Sequence, residues 1–114
     1  MKVIQWDIVY IKFPFTNLTD YKLRPALILS NNHFNQKENI FVLGIFSNPW
    51  IDIFSLELNQ ENLKEWTILK RSFLRFQNMF TLEKSLIERK IGAIKHNNLI
   101  SILEKLENYV SLDK

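Results

Sequence analysis

With 114 residues the chain can fill one hydrophobic core but not two, and 46% hydrophobic residues against two glycines and three prolines exclude long disordered stretches. Cysteine is absent, which removes disulfides, thiolate nucleophiles and cysteine-based zinc sites. Fifteen Lys and Arg against twelve Asp and Glu leave a formal net charge of +3, weakly favourable to a polyanionic partner.

The first residues, MKVIQWDIVY, meet a polar side chain too soon for a secretory apolar segment. No run approaches the roughly 18 apolar residues of a membrane span. The expectation is a cytoplasmic protein without membrane contact. Residues 7–13, DIVYIKF, alternate as a strand, with Ile8, Tyr10 and Lys12 on one side and Val9, Ile11 and Phe13 on the other. Pro14 ends regular pairing. Residues 15–23 then read as a turn-rich loop in which Thr16, Asn17, Thr19 and Asp20 can bond their own backbone. This loop delivers Arg24 to its far end, just before Pro25 and a short aliphatic strand over 26–29.

Residues 40–45 repeat the aliphatic pattern, and Asn48-Pro49-Trp50 breaks the chain. Ile53, Ser55 and Glu57 then alternate with Phe54, Leu56 and Leu58, as in a strand with one wet face. Residues 59–65 are polar with room for a helical turn. Residues 67–76 read as a longer strand with Leu69, Arg71, Phe73 and Arg75 on one face. Residues 87–94 form another, with Gly92 marking a bulge or a close backbone approach. The period then changes. Leu99, Ile102, Leu103, Leu106 and Val110 build one apolar face of a helix that Asn97 or Asn98 can cap. The fold class that follows is mainly β with α: a small antiparallel barrel with a C-terminal amphipathic helix, as one domain over residues 1–114.

Arg24 is the leading functional candidate. Its planar guanidinium carries a permanent charge and five donors suited to phosphate oxygens. The alternative is a surface arginine paired with Asp20 or Glu57. Lys22 can contact phosphate, and Arg71 with Arg75 can extend a positive track. Phe13, Phe15 and Phe46 are candidates for a base-stacking wall, although each also suits a core. His33 and His96 lack any orienting motif for an acid–base pair. Asp7, opening a strand, fits a turn or backbone bond. The carboxylates show no paired spacing for a metal, so neither metal nor other cofactor is expected.

Three stretches, DIVYIKFPFTNLTDYKLRPALILS, VLGIFSNP and LKRSFLRFQNMFTLEKSLIERKIGAI, together resemble the MazF/PemK family of toxin endoribonucleases. The resemblance implies an SH3-like barrel acting as a homodimer on single-stranded RNA and held in check by a small antitoxin whose tail fills the groove. It also implies cleavage without a metal, in which a 2′-hydroxyl attacks the neighbouring phosphate to leave a cyclic phosphate and a free 5′-hydroxyl. Arg24 stands at the family's catalytic arginine. A guanidinium does not give up its proton in a protein and so is no general base, which leaves it the role of stabilising charge on the phosphorane or donating to the leaving oxygen.

The family's second site residue is a threonine in an Ile-Thr-Ser run. Here the run is Ile45-Phe46-Ser47, so Ser47 is the candidate hydroxyl, although neighbouring strand residues point to opposite faces. Phe46 in the threonine position can instead stack on a base, with cleavage weakened or lost. Phe15, Thr16, Lys22, Phe46 and Ser72 are the expected RNA contacts, Ser72 by matching a family serine near the groove. The family's common glycine before the first aspartate is Trp6, a change expected to alter only packing. The alternatives are a non-catalytic RNA- or protein-binding member and a CcdB-like topoisomerase poison.

Overall fold

The computed structural model describes residues 2–14, 21–47 and 52–113, so Phe15, Thr16 and Asp20 lie outside the described residues. In chain order the strands are β1 (Asp7–Pro14), β2 (Tyr21–Ile28), β3 (Asn39–Phe46), β4 (Ser55–Leu58), β5 (Leu63–Lys64), β6 (Ser72–Glu83) and β7 (Ile87–Ile94). A helix α1 (Leu99–Val110) follows. The strands form one sheet in the order β4-β6-β3-β2-β1-β7-β5, antiparallel at every pairing and curled into a half-barrel.

The alternation in β1 places apolar residues on both faces, and both are buried. Ile8 joins Leu27, Leu43, Ile45, Leu74 and Ile94 in one cluster, closed by Leu99 and Ile102 of α1. Val9 and Ile11 join Ala26, Ile28, Ile40 and Val42 in a second. A fully buried aliphatic side chain is worth about 2 kcal/mol, so both faces of β1 contribute to stability.

Three sequence expectations need correction. First, β2 begins at Tyr21 and not at 26, because Tyr21 to Pro25 pair with Pro14 to Tyr10 of β1. Among the described residues β2 pairs with β3 only at Ala26 to Ile28. Residues 22–25 therefore form an edge, where charged side chains and a proline are tolerated. Second, the strand expected over 67–76 starts at Ser72 and continues to Glu83, with Leu69 left 91% exposed outside it. Its second half pairs with residues 39–43 of β3, a partnership that its polar letters concealed.

Third, α1 turns a different seam inward. Leu99 and Ile102 are buried and Leu106 and Tyr109 pack beside them, whereas Leu103 and Val110 are 49% and 72% exposed. Tyr109 sets this rotation: its ring lies 5.3 Å from that of Phe54 and 5.5 Å from that of Phe76, and its hydroxyl donates to the Ile53 carbonyl. Asn98 occupies the N-cap position, but its side chain bonds Asn97 and caps nothing.

The polar segment 59–65 does hold a helical turn, a single 3-10 turn over Gln60–Asn62. Gly92 combines both roles foreseen for it. The register of β1 on β7 shifts beside it, and a Cβ there would stand 2.6 Å from the Lys64 carbonyl oxygen and 2.6 Å from Trp66 Cβ. That approach is produced by a tight turn in which Trp66 N–H donates to the Lys64 carbonyl at 2.8 Å and Glu65 takes a φ of 70°.

Trp6 does more than alter packing. Its φ is 75°, in the left-handed region where a bulky residue is strained and glycine is free. Backbone bonds on both sides hold it there: its N–H donates to the Ile28 carbonyl at 2.8 Å and its carbonyl accepts from Ile94 at 3.0 Å. The ring packs against the α1 cluster. Removal of the ring in both variants isolates the backbone effect, so Trp6→Gly should be about 1 kcal/mol more stable than Trp6→Ala. Urea unfolding of the two variants checks this; equal stability would show that the left-handed backbone carries no strain.

Candidate active site

The site arises where β2 and β3 part. Ala26 lies opposite Gly44, and continuing that register by two residues would set Arg24 opposite Phe46 on the same face. The two strands separate instead, and a groove of about 330 Å³ opens at this place. Its walls are Tyr10, Lys22, Leu23, Arg24, Pro25, Ile45, Phe46, Ser47, Lys70 and Ser72. Five predicted site residues meet here: Arg24, Ser47, Lys22, Phe46 and Ser72. Phe15 and Thr16 lie outside the described residues.

Arg24 is half-buried within β2, opposite Ile11, so a strand ladder and not a loop fixes its backbone. The guanidinium carbon lies 5.8 Å from the centre of the Phe13 ring. Among the described residues no carboxylate pairs with it. Glu57, the alternative partner, is held by Arg71, whose Nε and a terminal nitrogen donate to its two oxygens at 3.0 and 2.8 Å. Hydrogen bonds from Arg71, reinforced by its charge and opposed by desolvation, hold the Glu57 carboxyl below its usual pKa. Arg71 is thereby neutralised and does not extend a positive track.

Phe46 stands on the Arg24 face but is not free to swing. Its ring folds back over Gly44, with Cε2 2.6 Å from where a Cβ would be. The Arg75 guanidinium lies 5.7 Å from the ring centre and donates to Gln77 at 2.9 Å. Residues 75–78 of β6 face Gly44 alone, since Leu74 pairs with Ile45 and Met79 with Leu43. This excursion brings Arg75 to Phe46.

Ser47 is exposed and reaches the groove from the opposite face of β3, as strand alternation requires. Ser72 is buried, and its hydroxyl donates to the Lys70 carbonyl at 3.0 Å, which fixes the turn into β6 while the residue also lines the groove. Asp7 serves structure, accepting from the Ile4 N–H at 3.3 Å and pairing with Lys90 at 3.4 Å. Neither histidine lines the groove. Among the described residues no grouping of three His, Asp or Glu could hold a metal ion.

The sequence reading overlooked Tyr10 and Lys70. Tyr10 carried a signal, since it shares the wetter side of its strand with Lys12, but only the β1–β2 register brings it to the groove beside Pro25. Lys70 was read within the strand expected over 67–76, on the side away from Arg71 and Arg75, and the later start of β6 at Ser72 is what frees it for the groove.

A family profile described as "PemK-like, MazF-like toxin of type II toxin-antitoxin system" matches residues 4–110. The chain belongs to the PemK/MazF-like toxin family. Its fold matches that of MazF in a MazE–MazF structure from Deinococcus radiodurans, with a TM-score of 0.78 at 16% identity over 99% of this chain and 100% of that one. An endoribonuclease from a mycobacterial species, solved in complex with its cognate antitoxin, gives 0.76 at 15% identity over 98% of each chain. The Mycobacterium tuberculosis toxin MazF-mt6 gives 0.74 at 18% identity over 95% of this chain and 99% of that one. At such identities the likeness is one of fold. No curated protein matches the chain. Among the described residues of this PemK/MazF-like toxin, no helix is long and apolar enough to cross a membrane.

The Glu57–Arg71 pair gives a signed pH dependence. Because the folded-state pKa is depressed, the pair stabilises the fold above the ordinary carboxylate pKa and ceases to do so as pH falls through the lowered value. The pair is solvent-exposed, so the effect on stability is small. Arg71→Ala should move the Glu57 titration upward by NMR, and an unmoved titration would remove the pairing.

Proposed function

We propose that this PemK/MazF-like toxin cleaves single-stranded RNA without a metal, using Arg24 and Ser47 as the reacting-site pair. The supporting observation is the convergence of Arg24, Ser47, Lys22, Phe46 and Ser72 on one groove, with Arg24 uncommitted to any described carboxylate. A 2′-hydroxyl oxygen attacks the adjacent phosphorus, and the 5′-oxygen leaves to give a cyclic phosphate and a 5′-hydroxyl. Arg24, held by a paired strand, donates to the phosphate oxygens as charge builds there, and fixed donors of this kind need no reorganisation. Ser47 offers a second donor from the other wall. Lys22 and Lys70, both exposed, supply the sequence-independent attraction for the backbone.

The protein works in the cytoplasm as a homodimer in this reading, and a small antitoxin silences it by occupying the same groove. The mycobacterial relative solved with its cognate antitoxin supports such a partner.

A second reading has its own observation. On the face of Arg24, where the family resemblance calls for a hydroxyl, stands the packed ring of Phe46, while Ser47 lies across the strand. A ring there stacks on bases and leaves Arg24 without a same-face partner, which makes an RNA binder with damped cleavage.

Mapping the ends produced on a long RNA in the presence of EDTA separates the two. Wild type is expected to leave cyclic-phosphate ends, and Arg24→Ala should lower the rate by about a hundredfold or more. Phe46→Thr should raise it if the ring damps the enzyme. Intact RNA with every variant, together with growth arrest unrelieved by Arg24→Ala, would end the nuclease reading. Salt-sensitive binding without new ends would favour the binder.

A further inference from the structure

Three arginine–aromatic pairs border the groove, and the function proposed above draws on a member of only two. Arg24 lies by Phe13, and Arg75 lies by Phe46. The third is Arg89 of β7, whose guanidinium carbon stands 5.0 Å from the centre of the Tyr10 ring. Tyr10 is itself a wall of the groove and half-buried, and Arg89 is exposed.

The register explains how this pair reaches the site. Tyr10 pairs with Pro25 on one side and with Arg89 on the other. Paired residues of antiparallel strands share a face, so Arg89, Tyr10 and Pro25 form a row across β7, β1 and β2. Strand alternation from Leu27 and Ile45, which share the α1-side cluster, puts Pro25 and Ser47 on that same face. The row therefore continues from the Ser47 wall, away from Phe46, and passes beside Arg24. The charged neighbours of Arg89 are engaged elsewhere: Glu88 pairs with Lys12 at 3.7 Å and Lys90 with Asp7 at 3.4 Å. Among these three residues of β7, Arg89 is thus the one directed to the groove's aromatic wall.

We propose that Tyr10, braced by Arg89, is a base-stacking subsite for an RNA nucleotide flanking the scissile phosphate, on the side of Arg24 opposite Phe46. The inference rests on the single-stranded RNA reading and adds a second platform to it. The Tyr10 ring takes the base on its groove side, and Arg89 holds the ring in place and presents charge to the adjoining phosphate. Since every base has a π-face, the subsite contributes affinity and positioning without choosing the base.

The test uses short mixed-sequence 2′-O-methyl oligoribonucleotides, which lack a free 2′-hydroxyl to attack, with 2-aminopurine placed at one position at a time. Wild type should quench the probe at a position on each side of Arg24. Tyr10→Leu should restore fluorescence at one of the two and weaken binding about tenfold, while Tyr10→Phe keeps both quenching and affinity. The exposed Arg89→Gln, which avoids any packing defect, should weaken binding about threefold at the same position. Unchanged quenching and affinity in folded Tyr10→Leu, or in Arg89→Gln should Tyr10→Leu fail to fold, would overturn the subsite while leaving the proposed function standing. A wild-type chain that binds no RNA would overturn that function and the subsite with it.

Discussion

The separation of β2 from β3 beyond the Ala26–Gly44 pair governs the rest of the molecule. Up to that pair the strands are bonded and their side chains are core; past it, the same faces open on a groove. Gly44 marks the transition. It has no side chain, so the Phe46 ring can lie over it, and residues 75–78 can leave the ladder opposite it. A larger residue at this point would demand another position for the ring, and with it another shape for the wall facing Arg24.

Arg24 illustrates how the fold serves chemistry. Among the described residues it is anchored by β1 on one side only, and its other flank faces the groove while its backbone stays in a ladder. A guanidinium on a free loop would lose more entropy on meeting a phosphate.

Much of the barrel was legible because burial imposes period. The two-sided alternation of Ile8 to Phe13 and the aliphatic run 40–45 name their elements without help, whereas Ser47 became a candidate only through the family resemblance. What escaped had no local signature. The start of β2 at Tyr21 depends on a partner earlier in the chain, and the second half of β6 on residues 39–43 of β3. Tyr10 reaches the groove through register alone. Among the described residues the left-handed positions are filled by Trp6 and Glu65, so the usual glycine flag was missing at both. The seam of α1 shifted because Tyr109, an amphipathic residue, outweighed Leu103 and Val110.

The excursion of β6 over residues 75–78 separates the demands of the core from those of the groove wall. Pairing with β3 holds at Leu74 and Met79 on either side, and within the stretch Phe76 alone is buried in the core, beside Tyr109, so the other three positions can change without disturbing it. Arg75 can therefore be exchanged, and the groove wall at Phe46 reshaped, without renegotiating the core. A scaffold arranged in this way can keep its shape at 14% identity, as the likeness to a mycobacterial endoribonuclease shows, while leaving the side chains of the groove wall free to differ.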